Sequence, residues 1–374
     1  MDNVLTRIGF PAGSMRIGGS GLSYLSLRCD SQAALDLAAS SAATLQTLHL
    51  FDIPPEWMGA GSSLGAELGF THYIQNNAVP PTYSKLKQLA LQFQDLLVDE
   101  AGTDAPYSSA LSSPAYTGER PWDGMFPVLC SLSFKNPPPR GYSYLEALPL
   151  SQLKHLHVEV SWRTAHLLSL NSHAIASADV HIACVGPSAK IGRSAASHLL
   201  QQALAVSARS AKLRLSMNIQ QPLTWAQAID DMSQLHSFLR VLELHTPVNL
   251  WCILPLLRLM PSLWKLSTPY VCTSQSSFAL QPAAAPTQPN PNPQATTRLR
   301  LLSMGFSNYQ QSTAALCQGL LEFVARVPSL MTLLHTPGFC RELRAASKLF
   351  ALRNPASLPH LRSLVIADHS GTLY

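Results

Sequence analysis

His155 and His157 flank Leu156, so in a strand they share one face, and two imidazoles so placed are a pair of the kind that ligates zinc. Their neighbourhood supplies no third ligand except His181, should its apolar run ADVHIACV (Ala178–Val185) form the adjoining strand. The plainer reading makes them outward-facing histidines that titrate near neutral pH and tune binding, with no metal held. GPSAKIGRS (Gly186–Ser194) follows that apolar run and precedes a helical stretch, as a phosphate loop does. It has one residue too many between its glycines, and Arg193 stands where the phosphate-binding lysine belongs. Gly61-Ser62-Ser63-Leu64-Gly65 spells a nucleophile elbow, but an elbow must follow a buried strand, and the turn-like PPEWMGA precedes it. No nucleotide fingerprint, kinase signature or Cys/His zinc spacing is present, and the expectation is a chain that is not an enzyme and uses no cofactor.

The elements that must position these side chains follow from a repeated phrase, Leu-x-x-Leu-x-Leu. It reads LSYLSL at Leu22–Leu27, LQTLHL at Leu45–Leu50, LKQLAL at Leu86–Leu91, LCSLSF at Leu129–Phe134, LKHLHV at Leu153–Val158, SAKLRL at Ser210–Leu215 and LRVLEL at Leu239–Leu244. Looser copies are LWKLST from Leu263, LRLLSM from Leu299, LMTLLH from Leu330 and LRSLVI from Leu361. Most spacings between copies fall near 23–31 residues, close to the leucine-rich-repeat period. The second and third leucines are two apart and point into a core, whereas the residues beside them point outward. One such strand cannot bury its face alone, but stacked neighbours can. ADVHIACV, in the longest gap, is read as an unmatched copy.

Proline precedes the first leucine by two at Pro127, Pro261, Pro328 and Pro359, ending a helical segment and restarting the chain as a strand. Thr-Pro then closes three strands, at Thr246–Pro247, Thr268–Pro269 and Thr336–Pro337. Amphipathic helices are predicted over Ser194–Ala208, Trp225–Leu235, Thr313–Val327 and Arg341–Leu352. The expected fold is therefore α/β: an irregular leucine-rich-repeat solenoid, a horseshoe with a parallel concave sheet and outer helices, over residues 21–374. Residues 1–20 form a tail or ragged cap, and Ala101–Pro121 and Gln281–Thr297 read as disordered inserts between repeats.

Composition narrows the function classes. Of 374 residues, 47% are hydrophobic and only 13% charged, with 26 Lys and Arg against 21 Asp and Glu. So dilute a charge argues against nucleic acid, whose phosphates need clustered cations. No apolar run is long enough to cross a membrane. Seven scattered cysteines without a Cys-x-x-Cys pair, and a start lacking a secretory signal, point to reduced thiols in the cytosol or nucleus.

Reading the outward positions in order places Lys212, Arg214 and Lys265 in the central stretch, beside Lys154, His155 and His157, with only Glu243 opposing. The expectation is a mildly basic face that receives an acidic or phosphorylated segment of a protein partner. The last outward pair is expected at Ser363 and Val365.

The φ-Pro-x-Leu-x-x-Leu phrases, irregularly spaced and rich in Ala and Ser, resemble the leucine-rich-repeat region of fungal F-box-type proteins, from about Leu22 to Ile366. In that family the solenoid holds a substrate while an N-terminal F-box docks on the adaptor of a cullin ubiquitin ligase. The resemblance thus implies a substrate receptor with such an adaptor as a partner. Nothing before Leu22 matches the Leu-Pro opening of an F-box, so this chain is expected to carry the binding half, with any F-box upstream. The alternative is a divergent phosphate- or nucleotide-binding enzyme using the 186–194 loop.

Overall fold

Four of the leucines that open a repeat close a turn before their strand. The N–H groups of Leu86, Leu129, Leu263 and Leu330 donate to the carbonyls three residues back, at Tyr83, Phe126, Met260 and Val327. Pro127, Pro261 and Pro328 occupy the second position of three of these turns, where a fixed φ and a missing N–H cost nothing. The chain then enters a strand, and the carbonyl just before that strand accepts two N–H bonds from the next repeat. Ser23, Gln46, Lys87, Cys130, Ala211, Arg240, Trp264 and Arg300 all do so. A doubled acceptor at the same place in successive repeats sets their register.

The computed structural model describes residues 22–29, 37–53, 82–94, 126–136, 152–161, 165, 179–185, 193–207, 209–217, 238–245, 248–249, 257, 260–272, 298–306, 313–353, 355 and 358–374. They fall in two compact units, 1–185 and 186–374. The tail at 1–20, the inserts at 101–121 and 281–297, the helix predicted over Trp225–Leu235 and the Thr246–Pro247 pair lie outside the described residues.

In the first unit, β1 (Tyr24–Arg28), β2 (Thr47–Ile53), β3 (Gln88–Phe93), β4 (Ser131–Lys135), β5 (His155–Ser161) and β6 (Asp179–Val185) lie side by side in chain order, every pair parallel. ADVHIACV is thus a strand, as its composition predicts. Burial alternates along β1, β3, β4 and β5 and along β2 as far as Leu50: Leu48 and Leu50, Leu89 and Leu91, Leu132 and Phe134, and Leu156 and Val158 are all buried.

In the second unit, helix α1 (Arg193–Ser207) leads into β7 (Lys212–Met217), β8 (Val241–His245), the short β9 (Val248–Asn249), β10 (Lys265–Cys272) and β11 (Leu301–Phe306). Then come α2 (Thr313–Ala325), β12 (Thr332–His335), α3 (Pro337–Arg353), α4 (Leu358–Ser363) and β13 (Val365–Asp368). The order β7–β8–β10–β11–β12–β13 is again parallel throughout, with β9 pairing β10. Ala196, Leu199, Leu200, Ala203 and Leu204 give α1 one buried stripe, and α3 buries Phe339, Cys340, Leu343 and Ala351. Both units are therefore α/β or β structure built on open, all-parallel sheets. Among the described residues no helix is long and apolar enough to cross a membrane.

Three sequence expectations are corrected. Thr268–Pro269 does not close β10, which runs on to Cys272. Proline has no N–H for the ladder, and the β10–β11 register slips between Thr268 and Val271 instead. Thr336–Pro337 does follow β12, but it also starts α3 four residues before the predicted Arg341. The Thr336 carbonyl accepts the Cys340 N–H at 3.0 Å, and Pro337 takes the first helical position. In the last repeat Pro359 and Leu361 lie inside α4, so the chain reaches the sheet two residues later than LRSLVI implies. The register pairs Thr332 with Val365 and Leu334 with Ala367, making those two, not Ser363 and Val365, the outward pair.

Candidate functional site

Parallel register turns separate outward residues into rows. In the second unit one row runs Lys212–Val241–Lys265 and the next Arg214–Glu243–Ser267. Glu243 consequently sits among all three cations that the sequence singles out. Its Oε2 accepts from Arg214 Nε at 2.8 Å and lies 2.7 Å from Arg214 Nη2. Its Oε1 lies 3.2 Å from Lys212 Nζ and 3.7 Å from Lys265 Nζ. Burial pushes the Glu243 carboxyl up, but hydrogen bonds and charge from Arg214 and Lys212 outweigh it and hold the group below its ordinary value. The cluster thus carries three cations against one nearly buried carboxylate, and any incoming anion competes with Glu243 for the same donors.

His245, one strand step beyond Glu243 on the same face and paired to Ser216, was not singled out by the sequence. Burial and the Arg214 charge push its pKa down, against an upward pull from Glu243. The signal was present in LRVLELH, where His245 follows the last leucine of the phrase, but a pattern read only beside the second leucine passes over it.

The first unit gathers histidines and carboxylates at the corresponding positions. β5 and β6 pair His155 with Asp179 and His157 with His181. His157 Nδ1 stands 2.7 Å from His181 Nδ1, the rings tilted 60° with centroids 4.4 Å apart. That separation is a hydrogen bond, one ring donating and the other accepting. Two nitrogens on one tetrahedral zinc, at about 2.0–2.1 Å each, would stand roughly 3.3 Å apart. Glu159 Oε2 approaches the other nitrogen of His157 at 3.6 Å, and Asp179 Oδ2 lies 3.7 Å from His155 Nδ1. The carboxylates therefore do not converge with the His157–His181 contact, and among the described residues no group of three or more His, Cys, Asp or Glu is placed to hold a metal. His181 does come beside His157, but as a hydrogen-bond partner rather than a third ligand.

The Gly61–Gly65 elbow lies outside the described residues, as do residues 186–192 of the glycine-bearing loop, while Arg193 opens α1. Cys130, Cys184, Cys317 and Cys340 are thiols rather than disulfides. Burial pushes Cys184 up to about 12 and, with the Glu342 charge, Cys317 up to about 11, so neither is a ready nucleophile. No protein-family model matches this chain, and no curated protein matches it either.

Proposed function

We propose that this chain is a non-catalytic protein-binding scaffold, a leucine-rich-repeat horseshoe whose outward sheet rows receive a segment of another protein. The observation that carries the reading is the Lys212–Arg214–Lys265 group around Glu243, three cations on one open sheet face at the residues a repeat presents to solvent. An extended sheet with exposed side chains suits recognition of a large surface. The excess of positive charge suits an acidic or phosphorylated segment. Within this proposal the scaffold is the substrate-holding half of an F-box-type ubiquitin ligase in cytosol or nucleus, and its thiols fit a reducing compartment.

The test is affinity purification of tagged protein from its native cells with mass spectrometry, run beside the K212E/R214E variant. Partners held by wild type and lost by the variant support the scaffold; equal recovery rejects this face as the contact. Recovery of a cullin-ligase adaptor supports the ligase role, and a reproducible partner set without one retires it.

A further inference from the structure

The second unit carries another chemistry at the strand-start edge, one residue before each outward row begins. There Trp264 donates its N–H to the Arg240 carbonyl at 3.0 Å, Arg300 to the Trp264 carbonyl at 2.9 Å, and Met331 to the Arg300 carbonyl at 2.9 Å. Backbone bonds thus line up Arg240, Trp264, Arg300 and Met331 on successive strands, about 4.8 Å from one to the next. Phe238 and Arg298, two residues before Arg240 and Arg300, widen the line. All six side chains are exposed, with Phe238 at 61%, Met331 at 56% and Trp264 at 42%.

This edge differs from the sheet face in one decisive respect. The ion pairs described in this unit all end on Glu243, and none of Arg240, Arg298 or Arg300 forms one with a described carboxylate. Arg240 and Arg300 are exposed residues on the strands either side of the exposed Trp264. Trp and Arg are enriched among the residues that carry most of the energy at protein interfaces, and Met is enriched in interface composition.

We infer that this edge is a docking strip for an acidic segment of another protein that carries one aromatic or aliphatic anchor. The inference rests on the scaffold reading and adds, at the edge, a second contact separate from the one over Glu243. Acidic groups meet the three arginines, and the anchor covers Trp264 and Met331. Beyond Arg300 the edge turns apolar, with Met331 followed by the exposed Val365 in the neighbouring row. A nucleic acid, charged at every step, would find no counterpart there; a mixed acidic and apolar peptide does.

The experiment is fluorescence anisotropy with a short labelled peptide of Glu and Asp around a central Trp-Leu pair. Its Gln/Asn counterpart and a single-stranded oligothymidine serve as rival probes. The proteins are wild type, W264A, R240E/R300E, the milder R240Q/R300Q and K212E/R214E, each checked for native circular dichroism. The acidic peptide is expected to bind in a salt-sensitive way, roughly tenfold or more weakly to W264A and to both arginine variants, and within about twofold of wild type to K212E/R214E. Equal binding by the edge variants overturns the strip, as does equal binding of the Gln/Asn peptide. Tighter binding of oligothymidine overturns the choice of a protein partner. Loss in K212E/R214E with the edge variants intact overturns the strip while leaving the scaffold standing. The strip stands and the scaffold falls if the peptide behaves as expected yet native-cell purification yields no partner.

Discussion

The outward faces of the two units use the same repeat positions for opposite kinds of electrostatics. In the first, His157 hydrogen-bonds His181, and His157 and His155 lie 3.6 and 3.7 Å from Glu159 and Asp179. There the His157–His181 hydrogen bond needs one ring nitrogen without a proton, whereas charge attraction to a carboxylate needs a protonated ring. In the second, Lys212 and Arg214 approach Glu243 to 3.2 and 2.7 Å. The strand-start edges differ as well: Gln46, Lys87, Cys130 and Lys154 in the first unit stand where Arg240, Trp264, Arg300 and Met331 stand in the second. A repeat that spends its leucines on one face leaves the other face chemically unconstrained, so each unit acquires its own surface.

The inward rows diverge too. The third core position is Leu27, Leu50, Leu91, Phe134, Val158 and Ile182 in the first unit, all buried and apolar. In the second it passes from Leu215 and Leu244 to Thr268, Met304, His335 and Asp368. His335 and Asp368 are satisfied locally. His335 stacks on Phe339 with centroids 4.0 Å apart, and its Nδ1 accepts the Thr336 N–H at 2.6 Å. Asp368 accepts from the Ser370 and Thr372 backbone and from the Ser370 and Tyr374 hydroxyls. Gly371, at φ 90°, makes the turn that lets Leu373 bridge back to Ala367 and cover part of the edge of β13.

The largest expected effect breaks the leucine core of the second unit. Leu242→Ala empties a fully buried position and should cost about 2–5 kcal/mol in chemical denaturation, the outward chemistry being irrelevant to it. Next, pH should separate the units' inward rows. Burial and His369 push His335 down to about 4 from its ordinary 6.5. Between those values the unfolded chain binds the proton and the folded one does not, so stability falls as pH drops from 6.5 towards 4, by up to roughly 3 kcal/mol. His335→Phe should flatten that part of the stability–pH curve; an unchanged slope would show that His335 is not its source. Asp368, held down to about 2 chiefly by the Ser370 hydroxyl, extends the loss below pH 3.8, its ordinary value.

A smaller effect sharpens the contrast between the outward faces. Glu243→Gln removes the one charge that pulls His245 up, so the His245 pKa, followed by NMR, should fall further. The smallest concerns Ser210, which replaces the opening leucine of its repeat. Its hydroxyl is buried and has no hydrogen-bond partner among the described residues. Ser210→Ala should therefore raise stability, by about 1 kcal/mol.

What could be read without coordinates was whatever depends on a period or on one residue's backbone chemistry. The alternation of Leu48 and Leu50 or Leu132 and Phe134 states which side is buried, because side chains in a strand alternate strictly. Pro127, Pro261 and Pro328 announce turns because φ is fixed wherever proline stands. Pro359 shows the limit: the same constraint also suits the first turn of a helix, and only packing decided that Leu361 belongs to α4. The contents of the faces were legible one residue at a time, as Lys212, Arg214, Glu243, Lys265, His155 and His157, but not as contacts. That Glu243 meets three cations, that His157 shares a hydrogen bond with His181, and that Trp264 falls between Arg240 and Arg300 all depend on register across strands. Register is a long-range property, set by paired backbone carbonyls and buried leucines of neighbouring repeats, and the outward residues that bear the chemistry have no part in choosing it.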